Sequence, residues 1–200
     1  MQQPVVAHPT SRERAKADRR EVLLDAAARL FAERGFDRVS LEELGAAAGV
    51  SGPAVYRHFP GKQAVLGALL VGVSENLVAG GAEVVARVDD AGEALAAIVA
   101  FHVDFALANP DVIRVQDRDL DSLADDDRAR VRSLQRAYID AWVGVLSRAL
   151  PGVERAQLRI RTRATFGLIN STPHSARSSP RGTVRSLLES MALAALTTPS

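Results

Sequence analysis

Residues 40–62 constrain the fold most, because they carry the start and stop signals of two short helices. Ser40 and Glu43 have the spacing of a capping box, in which each side chain bonds the backbone amide of the other, so a helix is expected to begin directly after Ser40. Gly49 supplies the left-handed backbone position that ends a helix without a Cβ penalty. Ser51 stands where a second helix needs an N-cap. The pattern predicts a helix, a tight turn and a second helix.

The second of these helices, expected at about residues 52–59, has an inner and an outer face. Val55 and Phe59 are four positions apart, so both can hold the helix down on one side. Tyr56 and His58 offer donors suited to phosphate oxygens. The outer face, where small residues would let the backbone approach base edges, contains Gly52, Pro53, Ala54 and Arg57. The layout is typical of a helix-turn-helix, whose second helix can lie in the DNA major groove, although any pair of capped helices has similar spacing.

A longer ordered set of segments surrounds this stretch: residues 24–27, 30–35, 39–40, 50–51 and 56–59, with Lys62. Together they resemble the tetracycline-repressor (TetR) family of bacterial regulators. The resemblance implies DNA binding by nine residues: Ser40, Ser51, Gly52, Pro53, Ala54, Tyr56, Arg57, His58 and Lys62. Among these, Tyr56, His58 and Lys62 are expected on phosphates. Gly52, Pro53, Ala54 and Arg57 are expected to face bases.

Apolar residues at helical spacing, interrupted by glycine and proline, predict an all-α chain of about nine helices. Besides the two short helices, the expected spans are about 18–34, 62–79, 92–109, 110–120, 126–150, 153–171 and 183–196. Gly80 and Gly81 are expected to end or kink the fourth helix, which can resume toward Val88. The regions that follow are a disordered basic arm (1–17), an N-terminal three-helix DNA-binding domain (18–62) and a C-terminal ligand-binding and dimerisation bundle (63–200).

Basic charge is concentrated near the amino end, although the net charge is only +1. The basic residues there are Arg12, Arg14, Lys16, Arg19 and Arg20. Such an arm can follow phosphates or enter a minor groove, or it can be a solvated tail. A protein that organises DNA without regard to sequence needs a large positive charge, so the low net charge disfavours that class. A DNA-organising protein is kept as the alternative function.

Composition sets the outer limits of the function. A chain of 200 residues with 47% hydrophobic and 24% charged residues is ordinary for a soluble globular protein. It has no Cys, which excludes disulfide frameworks and fits the cytoplasm, the expected location. The first ten residues lack the charged region and apolar core of a signal peptide. No uninterrupted apolar run reaches membrane-spanning length, so no membrane partner is expected.

The C-terminal bundle contains pairs of aromatic residues one helical turn apart. Aromatic walls with few polar groups are typical of a small-molecule cavity, and equally of plain core. The residues expected to bind a ligand are Phe101, His102, Phe105, Gln116, Tyr138, Trp142, Phe166 and Asn170. Arg155, Arg159 and Arg163 form a column that is either a solvated face or a place for an anionic ligand group.

In the TetR family the last two long helices pair with their copies in a second subunit, and the resemblance implies such a homodimer. The small and apolar residues that suit this interface are Ala164, Gly167, Ser171, Val184, Leu187, Leu188 and Met191. The alternative is that these stripes only close the core of one subunit. A two-fold dimer would place two recognition helices about one DNA turn apart and imply a palindromic operator.

The sequence contains no convincing catalytic or metal-binding constellation. Ser171, His174 and Ser175 are close together, but no G-x-S-x-G elbow surrounds a serine. His102 and Asp104 are two positions apart on a helix and point to nearly opposite faces. The four histidines are scattered without paired carboxylates, so no metal or cofactor is expected. A hydrolase is therefore less favoured than a ligand-responsive regulator. We expect this regulator to be a repressor that a small, largely apolar effector releases from DNA.

Overall fold

The computed structural model describes residues 11–172 and 179–199, and over these residues it is helical without any strand. Nine α-helices occur in this part of the chain: α1 Ser11–Arg34, α2 Leu41–Ala47, α3 Gly52–Tyr56, α4 Lys62–Ala86, α5 Ala91–Ala108, α6 Pro110–Asp119, α7 Asp125–Ala149, α8 Arg155–Asn170 and α9 Arg181–Thr197. Short 3-10 turns follow α1 at Phe36–Arg38 and α6 at Leu120–Ser122. The predicted all-α fold class is confirmed.

α2 begins directly after Ser40, and Gly49 lies in the turn that follows this helix, as the sequence predicts. Ser40 Oγ accepts a hydrogen bond from the Glu43 amide at 3.1 Å, and the Ser40 amide donates to Glu43 Oε2 at 2.8 Å. The capping box of α2 is therefore complete. Gly49 has a φ of +65°, which lets the chain reverse after α2. Arg34 pairs with Glu43 at 2.9 Å and ties the end of α1 to α2.

The first helix begins earlier than expected. α1 starts at Ser11, so residues 11–17 continue a helix instead of forming a disordered arm. The segment after Ser11 is rich in Arg, Glu, Lys and Ala, which are good helix formers, and this local preference explains the extension. Residues 1–10 of the predicted arm lie outside the described residues.

The break expected at Gly80 and Gly81 is absent, because α4 continues to Ala86. A Cβ at Gly80 would lie 2.5 Å from Phe101 Cζ, and one at Gly81 would lie 2.6 Å from Tyr138 Cε2. The rings of α5 and α7 occupy the space that side chains would need. These glycines therefore serve the close packing of helices and do not end one.

Two hydrophobic cores lie along the molecule, and α4 contributes to both. We call α1–α3 the head and α5–α9 the body. The first core joins the head to Leu66 and Leu70 of α4 and to Val115 of α6. The second core lies within the body, and Leu77 of α4 packs against it. The first core thus extends beyond the predicted domain boundary at Lys62, because α6 packs against α1.

Two helices, α4 and α5, are long and apolar enough to cross a membrane by length and composition, each with a mean hydropathy of 1.6. Neither helix is an uninterrupted apolar run, because Glu75 lies within α4 and Asp104 within α5, so the expectation from the sequence is not contradicted. α4 packs against α5 and α7, and α5 also packs against α9. Helices that are buried among others have the same composition, so these contacts account for their apolar character.

Candidate DNA-binding surface and ligand cavity

Two buried side chains hold α3 against the head. Val55 and Phe59, the residues expected on its inner face, are 0% and 2% exposed. A Cβ at Gly45 of α2 would lie 2.6 Å from Val55 Cγ2, so the missing side chain lets α2 and α3 meet closely. The guanidinium of Arg20 lies over the Phe59 ring, 5.0 Å from its centroid. Packing therefore fixes the orientation of this short helix.

The outer face of α3 is open. Tyr56 is 55% exposed, Arg57 is exposed and Ala54 is half-buried. Gly52 and Pro53 form the first turn, where a proline costs no helical hydrogen bond. The helix ends at Tyr56, earlier than expected. The described side chains of the face expected to meet bases are thus accessible to a partner, and the base contacts stay a prediction.

Ser40 precedes α2 and Ser51 precedes α3, and both are exposed. Ser51 occupies the N-cap position of α3, but its side chain makes no capping hydrogen bond, so the predicted cap is absent. The Ser40 hydroxyl accepts a bond from Glu43, which leaves its own proton available to donate. DNA contacts by these two hydroxyls remain predictions.

Tyr56 is bound to an acidic neighbour. Its hydroxyl donates to Glu42 Oε1 of α2 at 3.1 Å. This hydrogen bond, together with the negative charge of Glu42, raises the pKa of Tyr56. To reach a phosphate, the hydroxyl must leave a carboxylate that would itself repel the phosphate. The predicted contact therefore requires a change of partner.

His58 lies where α3 meets the basic start of α1. Its ring is half-buried, and Nδ1 has no hydrogen-bond partner among the described residues. Burial lowers the pKa of His58, and the positive charges of Lys16, Arg19, Arg57 and Arg20 lower it further. The same cations show that a basic cluster adjoins α3, as contact with a phosphate backbone requires.

Lys62 holds the head together from the start of α4. Its Nζ donates to the carbonyls of Phe36 at 2.8 Å, Asp37 at 3.1 Å and Val39 at 3.0 Å. It also lies 4.5 Å from the centroid of the Phe36 ring. An ammonium group has three hydrogens, and these carbonyls account for all of them. This geometry gives no support to the phosphate contact predicted for Lys62.

A cavity of about 150 Å³ lies between α4, α5, α6, α7 and α8. Among its lining are six of the residues expected to bind a ligand: His102, Phe105, Gln116, Tyr138, Phe166 and Asn170. The lining also includes Ser74, Leu77, Val112, Ile113, Leu134, Gln135 and Ile139, which sequence reasoning missed. These are ordinary apolar, hydroxyl or amide residues, so only the packing of the helices reveals them.

Phe101 and Trp142 are not among the lining residues, which corrects two predictions. Phe101 packs over Gly80. Trp142 is 0% exposed and meets the Phe166 ring edge-on, with 4.9 Å between the centroids. Phe101 is one helical turn from Phe105, and Trp142 is one turn from Tyr138, which is why the sequence predicts both at the cavity. The exact direction of each side chain, however, depends on the neighbouring helix.

Several polar atoms beside the cavity are buried and have no hydrogen-bond partner in the described part of the chain. They are both ring nitrogens of His102, the Tyr138 hydroxyl, Asn170 Oδ1 and, behind the lining, Trp142 Nε1. Burial lowers the pKa of His102 to about 4, and the nearby Asn170 side chain opposes this shift as a weak hydrogen-bond partner whose geometry falls short of a full bond, so the imidazole is neutral at pH 7. Burial also raises the pKa of Tyr138. Because buried polar groups are normally paired, this cluster is where a further hydrogen-bonding partner would fit, and ligand binding here stays a prediction.

The column of Arg155, Arg159 and Arg163 does not line the cavity. Arg159 pairs with Asp140 of α7 at 2.5 Å. Arg155 and Arg163 are exposed. The column is therefore a surface feature outside the cavity, and binding of an anionic ligand group by it stays a prediction.

The groups considered for catalysis do not assemble. His102 is buried, whereas Asp104 is exposed and pairs with Arg185 at 2.8 Å, so the two face different directions as expected. The Ser171 hydroxyl donates to the Leu168 carbonyl at 2.7 Å. His174 and Ser175 lie outside the described residues. Among the residues that are described, no His, Asp and Glu group could hold a metal ion.

An apolar stripe is exposed on α8 and α9, which pack side by side. Leu187 and Met191 of α9 are 57% and 44% exposed, and Ile160 of α8 is 68% exposed. The small residues predicted for this face, Ala164, Gly167 and Ser171, are exposed as well. Sequence reasoning missed Ile160, although its spacing of four and seven from Ala164 and Gly167 places it on the same face.

Two of the residues predicted for the interface are less accessible. Val184 and Leu188 are half-buried, and Leu188 packs against the core of the body. Part of the predicted stripe therefore packs in the core of its own subunit. The part around Leu187 and Met191 is exposed in the described chain. Pairing of two subunits through it stays a prediction.

Comparison with known proteins covers both halves of the chain. Residues 23–69 match the model of bacterial regulatory proteins of the tetR family, and residues 88–174 match the tetracyclin repressor-like C-terminal domain. A regulator of the TetR family from Bordetella parapertussis has a similar fold, with a TM-score of 0.79 and 23% identity over 89% of this chain and 94% of that one.

Two curated relatives are similar in sequence. The HTH-type transcriptional repressor KstR2 of Rhodococcus jostii is 30% identical over 132 residues, which are 66% of this chain and 65% of the repressor. The HTH-type transcriptional activator FasR of Mycolicibacterium smegmatis is 35% identical over 88 residues, which are 44% of this chain and 40% of the activator. The chain thus spans less than two thirds of either relative. The matches to both halves and the shared fold establish that the chain belongs to the TetR family of bacterial regulatory proteins, which are transcription regulators and not enzymes.

Proposed function

We propose that this protein is a ligand-responsive transcription repressor that works in the cytoplasm as a homodimer on a palindromic operator. The observation that carries the proposal is the course of α4. This helix packs in the head core with Leu66 and Leu70, and it lines the cavity with Ser74 and Leu77. A molecule in the cavity therefore touches the helix that carries the DNA-reading head. The similarity to KstR2, a repressor, supports the direction of control.

The surface of the head supports sequence-specific binding. Tyr56 and Arg57 are exposed on α3, and the cations of α1 lie near His58. The net charge of the whole chain is nevertheless only +1. Charge that is local in this way favours recognition of a defined site over general coating of DNA.

A second connection between cavity and head runs through α6. This helix lines the cavity with Ile113 and Gln116. Two residues after Gln116, Arg118 donates to the carbonyls of Phe31 and Ala32 near the end of α1. A ligand that favours one arrangement of α4 and α6 would shift the population of head positions, and some of these would not fit the operator.

The exposed stripe on α8 and α9 supports the dimer. Leu187, Met191 and Ile160 would bury their apolar surface against a second copy. A two-fold pair of heads requires two half-sites in the DNA, related by the same symmetry.

Footprinting of the purified protein on genomic DNA tests the proposal. We expect protection of one palindromic site with two half-sites about one helical turn apart. Broad protection without a defined site would favour the alternative, a DNA-organising protein, and no protection at moderate salt would contradict DNA binding. Once a site is known, an effector is identified as a compound that weakens the footprint. A footprint insensitive to every compound that occupies the cavity would contradict ligand control.

A further inference from the structure

The chemistry of the cavity restricts the kind of molecule it can hold. Among the described residues that line it, none is Asp, Glu, Lys or Arg. The buried imidazole of His102 is also neutral at pH 7, since its pKa is lowered to about 4. A charged ligand group would lose its water here without gaining a counter-ion, which is strongly unfavourable. The occupant is therefore neutral.

The unpaired polar atoms specify one functional group. The Tyr138 hydroxyl can donate, Asn170 Oδ1 can accept, and a neutral His102 can do either through its two nitrogens. A ligand hydroxyl both accepts and donates, so it can satisfy Tyr138 and Asn170 at once. A ketone or ether oxygen only accepts and would leave Asn170 unpaired.

The size and the walls specify a ring. A cavity of about 150 Å³ is large enough for a molecule the size of benzene. Aromatic rings that pack on one another form part of its wall: Phe166 lies 4.7 Å from His102 and 5.6 Å from Tyr138 between ring centroids, and the Tyr138 and Phe166 planes differ by 13°. Such rings prefer aromatic partners in stacked or edge-to-face contact.

We propose that the cavity binds a neutral, single-ring phenol, with its hydroxyl between Tyr138 and Asn170 and its ring against Phe105 and Phe166. The assignment rests on the proposed function in so far as the cavity is the effector site. It deepens that function by naming the class of effector. Carboxylates and other anions of the same size are rejected because the described walls hold no cation.

Calorimetry on the full chain, without DNA, tests this assignment with three probes that share a methyl-substituted benzene ring: p-cresol, toluene and p-toluate. We expect p-cresol to bind about tenfold or more tighter than toluene, the effect of pairing buried polar groups. We expect no measurable binding of p-toluate at pH 7. Equal affinities of p-cresol and toluene, tighter binding of p-toluate, or no binding of p-cresol would each overturn the assignment.

A matched pair of variants locates the hydroxyl. The chain has two tyrosines, Tyr138 at the cavity and Tyr56 on α3. Tyr138→Phe should reduce p-cresol affinity about tenfold and leave toluene binding unchanged, which also shows that the variant is folded. Tyr56→Phe should change neither. An unaltered p-cresol affinity in Tyr138→Phe would overturn the assignment. These binding measurements contain no DNA. A negative result would therefore overturn the phenol assignment without contradicting the proposed repressor, which the footprinting experiment tests.

Discussion

Arg118 of α6 donates a hydrogen bond to the main-chain carbonyl of Phe31, near the end of α1. The same guanidinium bonds Asp119 Oδ2 at 3.0 Å, and Asp119 is only 7% exposed. The Phe31 carbonyl also accepts a hydrogen bond from the Gly35 amide at 2.8 Å, and carbonyls at the end of a helix carry partial negative charge. One cation therefore contacts both a negatively polarised helix end and a buried carboxylate, and it joins a cavity-lining helix to the head.

Replacing Arg118 should destabilise the fold. Arg118→Met leaves Asp119 buried without its cation, so we expect the free energy of unfolding in urea to fall by about 1–3 kcal/mol. The double variant Arg118→Met with Asp119→Asn should recover part of this loss, because both partners are then neutral. Arg136→Met, at an exposed position of α7, is the control and should stay within about 0.5 kcal/mol of the parent. Equal losses in Arg118→Met and Arg136→Met would show that the contact adds no stability.

Two glycines of α4 should respond in opposite ways to alanine. A Cβ at Gly81 would meet the Tyr138 ring at 2.6 Å, whereas a Cβ at Gly72 has open space around it. We expect Gly81→Ala to lower the melting temperature, with a cost of about 1–3 kcal/mol from overpacking. Gly72→Ala should raise it, since alanine is favoured in a helix by about 0.8–1.0 kcal/mol. The same sign for both variants would contradict the packing role of Gly81.

The contact between Tyr56 and Glu42 should restrain DNA binding. Glu42→Gln removes a negative charge next to α3, so we expect severalfold tighter operator binding at low salt, measured by fluorescence anisotropy, with a smaller gain at high salt. Tyr56→Phe should weaken binding by about 1 kcal/mol if the hydroxyl moves to a phosphate. Operator affinity that is unchanged in Tyr56→Phe would leave the Glu42 bond as the sole role of that hydroxyl.

Acid should destabilise the body through His102. The unfolded imidazole has a pKa of 6.5, and burial lowers the pKa in the folded state to about 4. Between these values the unfolded chain binds a proton that the folded chain does not. Stability therefore falls as the pH falls, by about 1.4 kcal/mol per unit and about 3 kcal/mol in all.

Urea titrations at several pH values between about 7 and 4 measure this loss. His102→Phe should show a flatter dependence than the parent, because the titrating group is gone. His58→Gln is a useful control. The pKa of His58 in the parent is lowered too, but the His58 ring is only half-buried. Parallel curves for the parent and His102→Phe would contradict the assignment of the effect to His102.

The stripe on α8 and α9 should hold two subunits together. Leu187→Glu with Met191→Glu places charges on the most exposed apolar part of α9, so we expect the mass in solution, measured by light scattering, to fall from dimer to monomer. Ala129→Glu on the exposed face of α7 should leave the mass unchanged. A parent protein that is already monomeric at micromolar concentration would exclude this interface.

Several features of the head could be predicted because their signals are local. Ser40 and Glu43 are three positions apart, and the capping box they form needs only the first turn of α2. The burial of Val55 and Phe59 follows from their spacing along one helix. Lys62 shows the limit of such reasoning: its partners at Phe36, Asp37 and Val39 are distant in sequence, and no pattern near Lys62 indicates them.

In the body the sequence by itself determined that helices form and which aromatic residues lie one turn apart on the same helix. The tertiary structure decided which of them meet a cavity: Phe105 and Phe166 line it, while Trp142 packs behind. It also decided that Gly80 and Gly81 admit two rings and leave α4 unbroken. The physical reason is that helix ends depend on neighbours within one turn, whereas cavities and close approaches depend on side chains brought from different helices.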